Sequence, residues 1–184
     1  MPRRLPTELD GLALIEPEVY GDDRGFLLES FNSDRWRELG VDVEFVQDNH
    51  SRSRRGTLRG LHFQLRPGQA KLVRCVRGHI WDVAVDMRSG SPTYGRWEGY
   101  ELDDEAHRQL FVPVGFAHGF CVLSDEADVG YKVSSYFDPG TEAGIAWDDP
   151  EIGVEWPVPD PLLSERDRSA PRLAEIADEL PFSY

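Results

Sequence analysis

The sequence predicts an all-β fold of antiparallel strands packed as a sandwich or barrel, and three observations carry that prediction. Short apolar runs bounded by Gly, Pro, Asp and Ser fill the middle of the chain, with turn signals such as "RSGSPTYG" and "DPG" between them. Residues 79–87, "HIWDVAVDM", alternate strictly: Trp81, Val83, Val85 and Met87 line one face, Asp82, Ala84 and Asp86 the other. Helical signals are few. At 184 residues the chain is long enough for one well-buried core and short for two, so residues 1–184 read as one domain.

Taken in order, the opening run "LALI" is far too short for a signal-peptide core or a membrane span, and a cytoplasmic protein with no membrane partner is expected. "GFLLESF" follows as a strand. "NSDRWRELG" then predicts a helix of at most two turns, with Ser33 as N-cap and Gly40 as stop. Further strands are expected in "VEFVQDN", "TLRGLHFQL", "KLVRCV", "HIWDVAVDM", "RWEGYEL", "QLFVPV", "HGFCVL", "VGYKVSSYF" and "AGIAWDD". Near the end "SAPRLAEIADEL" predicts a short helix, with Ser169 as cap, Pro171 in the first turn and Leu173, Ile176, Ala177 and Leu180 on one face. Strands that alternate like 79–87 cover a core on one side and face a polar cavity or solvent on the other. A small barrel with a lined mouth is a common home for a ligand.

A net charge of −14 argues against a nucleic-acid partner. "SRSRRGTLR" (51–59) departs from that average, being rich in arginine and free of acids. Arg52, Arg54 and Arg55 read as a solvated edge. Arg59 is expected on the face of Leu61 and Phe63, where a partly buried guanidinium wants an anion, and the patch suits a small phosphorylated ligand. Cys75 and Cys121 lie in apolar runs outside any CxxC pair and read as reduced, buried hydrophobes.

In "TLRGLHFQ" alternation places His62 and Gln64 opposite Leu61 and Phe63. The segment "PVGFAH" (113–118) resembles the second motif of the metal-binding cupins, with His118 as its ligand. The first cupin motif is broken, because Gln64 stands for its second histidine and Lys71 is the nearest downstream ionisable residue in place of a glutamate. A lysine cation is a poor neighbour for a divalent ion, and two histidines alone rarely hold one, so no metal is expected. In its place His62 reads as a general base and Lys71 as a cation for an oxyanion. Tyr131 shares its strand face with Val129 and Val133 and reads from the residues alone as a core tyrosine. A base, a cation and a phenol around one cavity suit proton abstraction next to a carbonyl.

The run "DDRGFLLESF", "FVQDNHS", "GTLRGLHFQ", "QAKLVRCVRGHIWDVAVDMRSGSPTYGRW", "VPVGFAHGF", "GYKVSSYFDP", "WDDPEIGVEWP" and "LSERD" resembles the dTDP-4-dehydrorhamnose 3,5-epimerase family from about Gly11 to Pro171. The resemblance implies a cupin-like β jelly roll, no cofactor, and a homodimer in which N-terminal strands pair across the interface. It implies as substrate dTDP-4-dehydro-6-deoxy-D-glucose, whose C3 and C5 protons lie next to the C4 ketone. By matching motif His62 removes those protons, Asp167 holds and charge-balances it, Lys71 stabilises the enolate, and Tyr131 returns a proton on the opposite face. Opposite faces are needed because one group working from one side only puts the proton back.

The same matches place Arg24, Glu29, Gln47, Asn49, Arg59, His118, Glu142 and Arg166 around the nucleotide and sugar, with Tyr136 as platform for the thymine. A plain core tyrosine is the other reading of Tyr136, and a structural histidine that of His118. Arg166 stands where many members carry lysine, and Phe137 where a second tyrosine is common. Three alternatives stay open: a relative that inverts one centre only, a metal-dependent cupin, and a non-catalytic binder of nucleotide sugars.

Overall fold

A computed structural model describes residues 1–184. In chain order its strands are β1 (Arg3–Leu5), β2 (Ala13–Glu16), β3 (Val19–Asp22), β4 (Gly25–Leu28), β5 (Gln47–Arg54), β6 (Leu58–Gln64) and β7 (Lys71–Arg77). They continue as β8 (His79–Asp86), β9 (Trp97–Asp103), β10 (Gln109–Val112), β11 (Phe116–Val122), β12 (Glu126–Val133) and β13 (Glu142–Gly144). One antiparallel sheet of six runs β1, β2, β10, β7, β12, β5; a second of five runs β13, β6, β11, β8, β9; β3 and β4 form a separate hairpin. The architecture is a cupin-like antiparallel jelly roll. The strand expected over 43–49 starts only at Gln47, because Val43 and Phe45 pack on the outside of the first sheet.

Alternation along the strands sorts the apolar side chains into three layers. Between the sheets lie Val73 and Cys75 of β7, Ile80 and Ala84 of β8, Leu110 of β10, Phe120 and Val122 of β11 and Val129 of β12. The Val, Ile, Leu and Phe side chains among them, when fully buried, each contribute about 1.5–3 kcal/mol. On the outer face of the five-stranded sheet Leu61, Phe63, Val83, Val85 and Met87 are covered by Ile145, Ile152, Leu173 and Phe182 of the C-terminal stretch. Outside the six-stranded sheet Ala13, Ile15, Leu72 and Phe111 meet Trp36 and Val41. Cys75 and Cys121 are buried and free, as expected.

The strand 79–87 is therefore covered on both faces. Asp82 and Asp86, expected to look on a cavity or solvent, are both fully buried. Asp86 is satisfied by Arg88, Ser91 and Thr93.

The helices differ from expectation at their ends. α1 (Ser33–Glu38) is capped by Asn32, whose Oδ1 accepts from the Arg35 N–H at 3.2 Å, one residue before the expected Ser33. Gly40, at φ +96°, follows its end as expected. A second helix, α2 (Glu165–Arg168), was not predicted; Ser164 caps it and Ser169 closes it instead of opening the next. The predicted C-terminal helix shrinks to α3 (Leu173–Ile176) and a 3₁₀ turn (Ala177–Glu179), because Pro171 stays outside and Glu175 accepts from the Arg172 N–H at 2.7 Å. Leu173 is buried with Ile176 and Leu180 packed beside the same layer, so the expected face is right. No helix is long and apolar enough to cross a membrane.

Candidate active site

At one end of the sandwich the two sheets enclose a cavity of about 510 Å³. In the ladder between β6 and β11, His62 pairs with His118 but Arg59 with Phe120, so three steps along one strand match two along the other. This one-residue bulge reverses the alternation. Arg59 consequently faces the cavity with His62 and Gln64, while Leu61 and Phe63 join the outer apolar layer. The expectation that Arg59 shares their face is thereby corrected. Gly60 makes the bulge possible: its φ is +138° and a Cβ there would lie 2.4 Å from the Cα of Gly119.

His62 Nε2 stands 2.5 Å from Asp167 Oδ1, across 105 residues of chain. Main-chain bonds bring the two together. Leu162 accepts from the Leu58 N–H at 3.0 Å and donates to the Gly56 carbonyl at 2.8 Å, tying the approach to α2 against the start of β6. Ser164 Oγ then accepts from the Asp167 N–H at 3.1 Å and fixes the first turn. Burial pushes the Asp167 carboxyl up, but the hydrogen bonds of His62 and Ser164 and the charges of His62 and Arg166 bring it below its ordinary value. Burial also holds the His62 imidazole below its ordinary 6.5, with Asp167 opposing and the charges of Arg166 and Lys71 adding. At neutral pH the ring is uncharged, Nε2–H donates to the carboxylate, and Nδ1 keeps a free electron pair.

Lys71 is buried, and its Nζ donates to the His62 carbonyl at 3.1 Å. Burial pushes its amine down to about 8, against the opposing charges of Glu142 and Asp82. Tyr131 lies on the face of Val129, beside the inter-sheet core, with its ring on the cavity. Burial raises its phenol, so the hydroxyl keeps its proton at neutral pH. His118 Nε2 lies 2.8 Å from Asp82 Oδ1. A neutral base, a buried cation and a protonated phenol thus line one polar chamber, which suits moving a proton on carbon next to a carbonyl. No group of three or more His, Cys, Asp or Glu side chains comes together at any point that could hold a metal ion.

Residues 6–175 match the protein-family profile described as dTDP-4-dehydrorhamnose 3,5-epimerase. The chain is 55% identical over 165 residues to the dTDP-4-dehydrorhamnose 3,5-epimerase of Shigella flexneri, covering 89% of this chain and 91% of that one. The chain belongs to the dTDP-4-dehydrorhamnose 3,5-epimerase family. It is accordingly an isomerase, a carbohydrate epimerase. The crystal structure of a dTDP-6-deoxy-D-glucose-3,5-epimerase from Legionella pneumophila, in complex with dTDP-4-keto-L-rhamnose, superposes with a TM-score of 0.97 at 47% identity, covering 100% of this chain and 99% of that one. A dTDP-4-dehydrorhamnose 3-epimerase of Streptomyces niveus is 47% identical over 178 residues, covering 96% of this chain and 86% of that one.

Among the residues that the epimerase family resemblance named, the cavity gathers His62, Lys71, Tyr131 and Asp167 together with Gln47, Asn49, Arg59, His118, Glu142 and Arg166. Gln47 and Asn49 point inward because β5 alternates, leaving Asp48 and His50 exposed. Arg166 of α2 pairs with Glu142 of β13. Three residues are not brought in. Arg24 sits at the turn of the β3–β4 hairpin, 89% exposed and paired with Asp22, and Glu29 pairs with Arg35 at 2.8 Å. Tyr136 is 71% exposed, and Phe137 lines the cavity in its place. Gln47 Oε1 accepts from the Phe137 N–H at 3.0 Å and ties that main chain to the start of β5.

Ser51 and Gln69 also line the cavity and were missed. The alternation of β5 was enough to find Ser51, whose buried Oγ has no partner. Arg52 and Arg55 are exposed and paired with Asp128 and Asp125, and Arg54 is exposed, so the solvated-edge reading holds.

Proposed function

We propose that the chain inverts C3 and C5 of dTDP-4-dehydro-6-deoxy-D-glucose to give dTDP-4-dehydro-L-rhamnose, with His62, Asp167, Lys71 and Tyr131 as the reacting set. The observation that carries this reading is the half-buried His62, held by the buried Asp167 and facing the same chamber as a buried lysine and a protonated phenol. His62 Nδ1 takes the proton next to the ketone, and the C–H electron pair moves onto the C4 oxygen as an enolate. The Lys71 ammonium offsets that charge, and the Tyr131 hydroxyl delivers a proton to the opposite face of the same carbon. Arg59, His118, Arg166, Gln47 and Asn49 hold the nucleotide and sugar, the guanidinium forks suiting a diphosphate. No cofactor enters the reaction, and loss of turnover on chelation overturns that part.

The substrate incubated with purified protein in D2O should gain deuterium at both C3 and C5 by NMR; exchange at neither overturns the reading. A single-centre reaction is the second reading, favoured by the 47% identity to a 3-epimerase. Deuterium at C3 alone decides for it.

The working unit is a homodimer in the cytoplasm, each chain acting as one domain. Two features support the dimer: the β3–β4 hairpin exposes Tyr20, Phe26 and Leu27, and it carries Arg24 away from its own chain's cavity. Arg24 and Glu29 then serve the cavity of the second chain. Mixing inactive Arg24→Ala and His62→Asn proteins should restore part of the activity, since one of the two mixed sites is intact; no recovery overturns the shared site.

A further inference from the structure

The floor of the cavity holds a second histidine–carboxylate pair. Asp82 lies on the inward face of β8 between Ile80 and Ala84, both of the inter-sheet core, and is fully buried. Its Oδ1 lies 2.8 Å from His118 Nε2, while Oδ2 is buried without any hydrogen-bond partner. An under-satisfied carboxylate in an apolar layer is costly, and nothing in the packing of the core asks for one. Aspartate placed there needs positive charge nearby to stay ionised. Besides His118, the charged and titratable groups that line the chamber are Lys71 of β7, His62 and Arg59 of β6, Tyr131 of β12, Glu142 of β13, and Arg166 and Asp167 of α2. Of these, Lys71 is close enough for the Asp82 charge to act on its amine.

His118, by contrast, lines the cavity, so Asp82 reaches the cavity only through that ring and through its field on Lys71. With Asp82 ionised, the proton of a neutral His118 must sit on Nε2, and Nδ1 is left for the chamber.

We propose that Asp82 is a positioning residue for His118: it fixes the Nε2–H form of the ring and so turns its Nδ1 toward a substrate held in the chamber. The role in turnover rests on the function proposed above, but the protonation pattern does not, and the two are tested separately.

The first measurement is the imidazole ¹⁵N spectrum of the ligand-free protein, with His118 assigned by its loss in His118→Gln. Nε2 should be protonated and Nδ1 not, with and without dTDP. A ring with its proton on Nδ1 overturns the proposal without any variant of Asp82.

The second measurement is Asp82→Asn. We expect a folded protein by circular dichroism, a His118 ring whose proton is no longer confined to Nε2, and kcat/KM lower by about 10- to 100-fold, the scale set by losing an outer partner of a working histidine. Wild-type kcat/KM with an altered ring overturns the role in turnover. Lost activity with an unaltered ¹⁵N pattern overturns the positioning role. Should Asp82→Asn fail to fold, the wild-type spectra still decide. A wild-type protein that does not turn over the substrate yet shows the expected pattern counts against the proposed function and not against this pair.

Discussion

Raising the pH should disable the cavity's lysine well before its tyrosine. Burial brings Lys71 from an ordinary 10.5 to about 8. At 1.36 kcal/mol per pH unit this is a preference of about 3 kcal/mol for the neutral amine over a solvated lysine. The neutral amine cannot balance an enolate, so kcat/KM, which reports the free enzyme, should be half-lost near pH 8 and about tenfold down by about pH 9. The Tyr131 phenol is raised by burial, so its own limb lies above 10. The assay is deuterium uptake from buffered D2O followed by NMR, which needs no coupling enzyme. Lys71→Arg tests the assignment, because a guanidinium stays charged throughout the range. It should lower the rate through altered geometry and remove the limb near 8. A wild-type profile flat from about pH 7 to about 9.5 refutes the reasoning, as does a limb that persists in Lys71→Arg.

On the acid side the His62 ring must be neutral to act, so activity should rise through a midpoint below 6.5 and be lost as pH falls further; Asp167→Asn, which removes the opposing carboxylate, should move that midpoint lower still, measured by the same profile. His62→Asn should lower kcat/KM by about 10² to 10⁴-fold and abolish deuterium uptake, both read by NMR. Tyr131→Phe should leave deuterium uptake from the His62 side while net inversion falls, separating the acid from the base in one spectrum. Gly60→Ala should destabilise the fold by about 2–5 kcal/mol in urea unfolding, through clash with Gly119 and a strained φ.

Much of this architecture was legible because alternation is a direct record of which face is buried. Residues 79–87 kept their two faces, and β5 turned Gln47, Asn49 and Ser51 inward as a period of two requires. Arg59 was placed on the wrong face because a bulge adds one residue without changing composition, and only the partner strand shows that three steps oppose two. α2 escaped notice because four residues carry no periodicity. Asn32 and Ser33 are both good cap residues, so the choice between them was made by the fold. The partnership of His62 with Asp167 came from resemblance alone; the chain segment between them holds no local signal for a contact made through Leu162. Tyr136 and Phe137 are adjacent aromatics with no local signal to tell them apart, and Phe137, whose main chain is bonded to the distant Gln47, is the one that lines the cavity.

Every cavity residue but three is in place by Glu142; Ser164, Arg166 and Asp167 ride on the closing stretch that wraps the outside of the second sheet. A nascent chain that has not yet released its tail therefore has a chamber without a working base. Turnover becomes a reporter of a late assembly event, and truncations that remove Asp167 should silence the enzyme while also uncovering the outer apolar face of the second sheet.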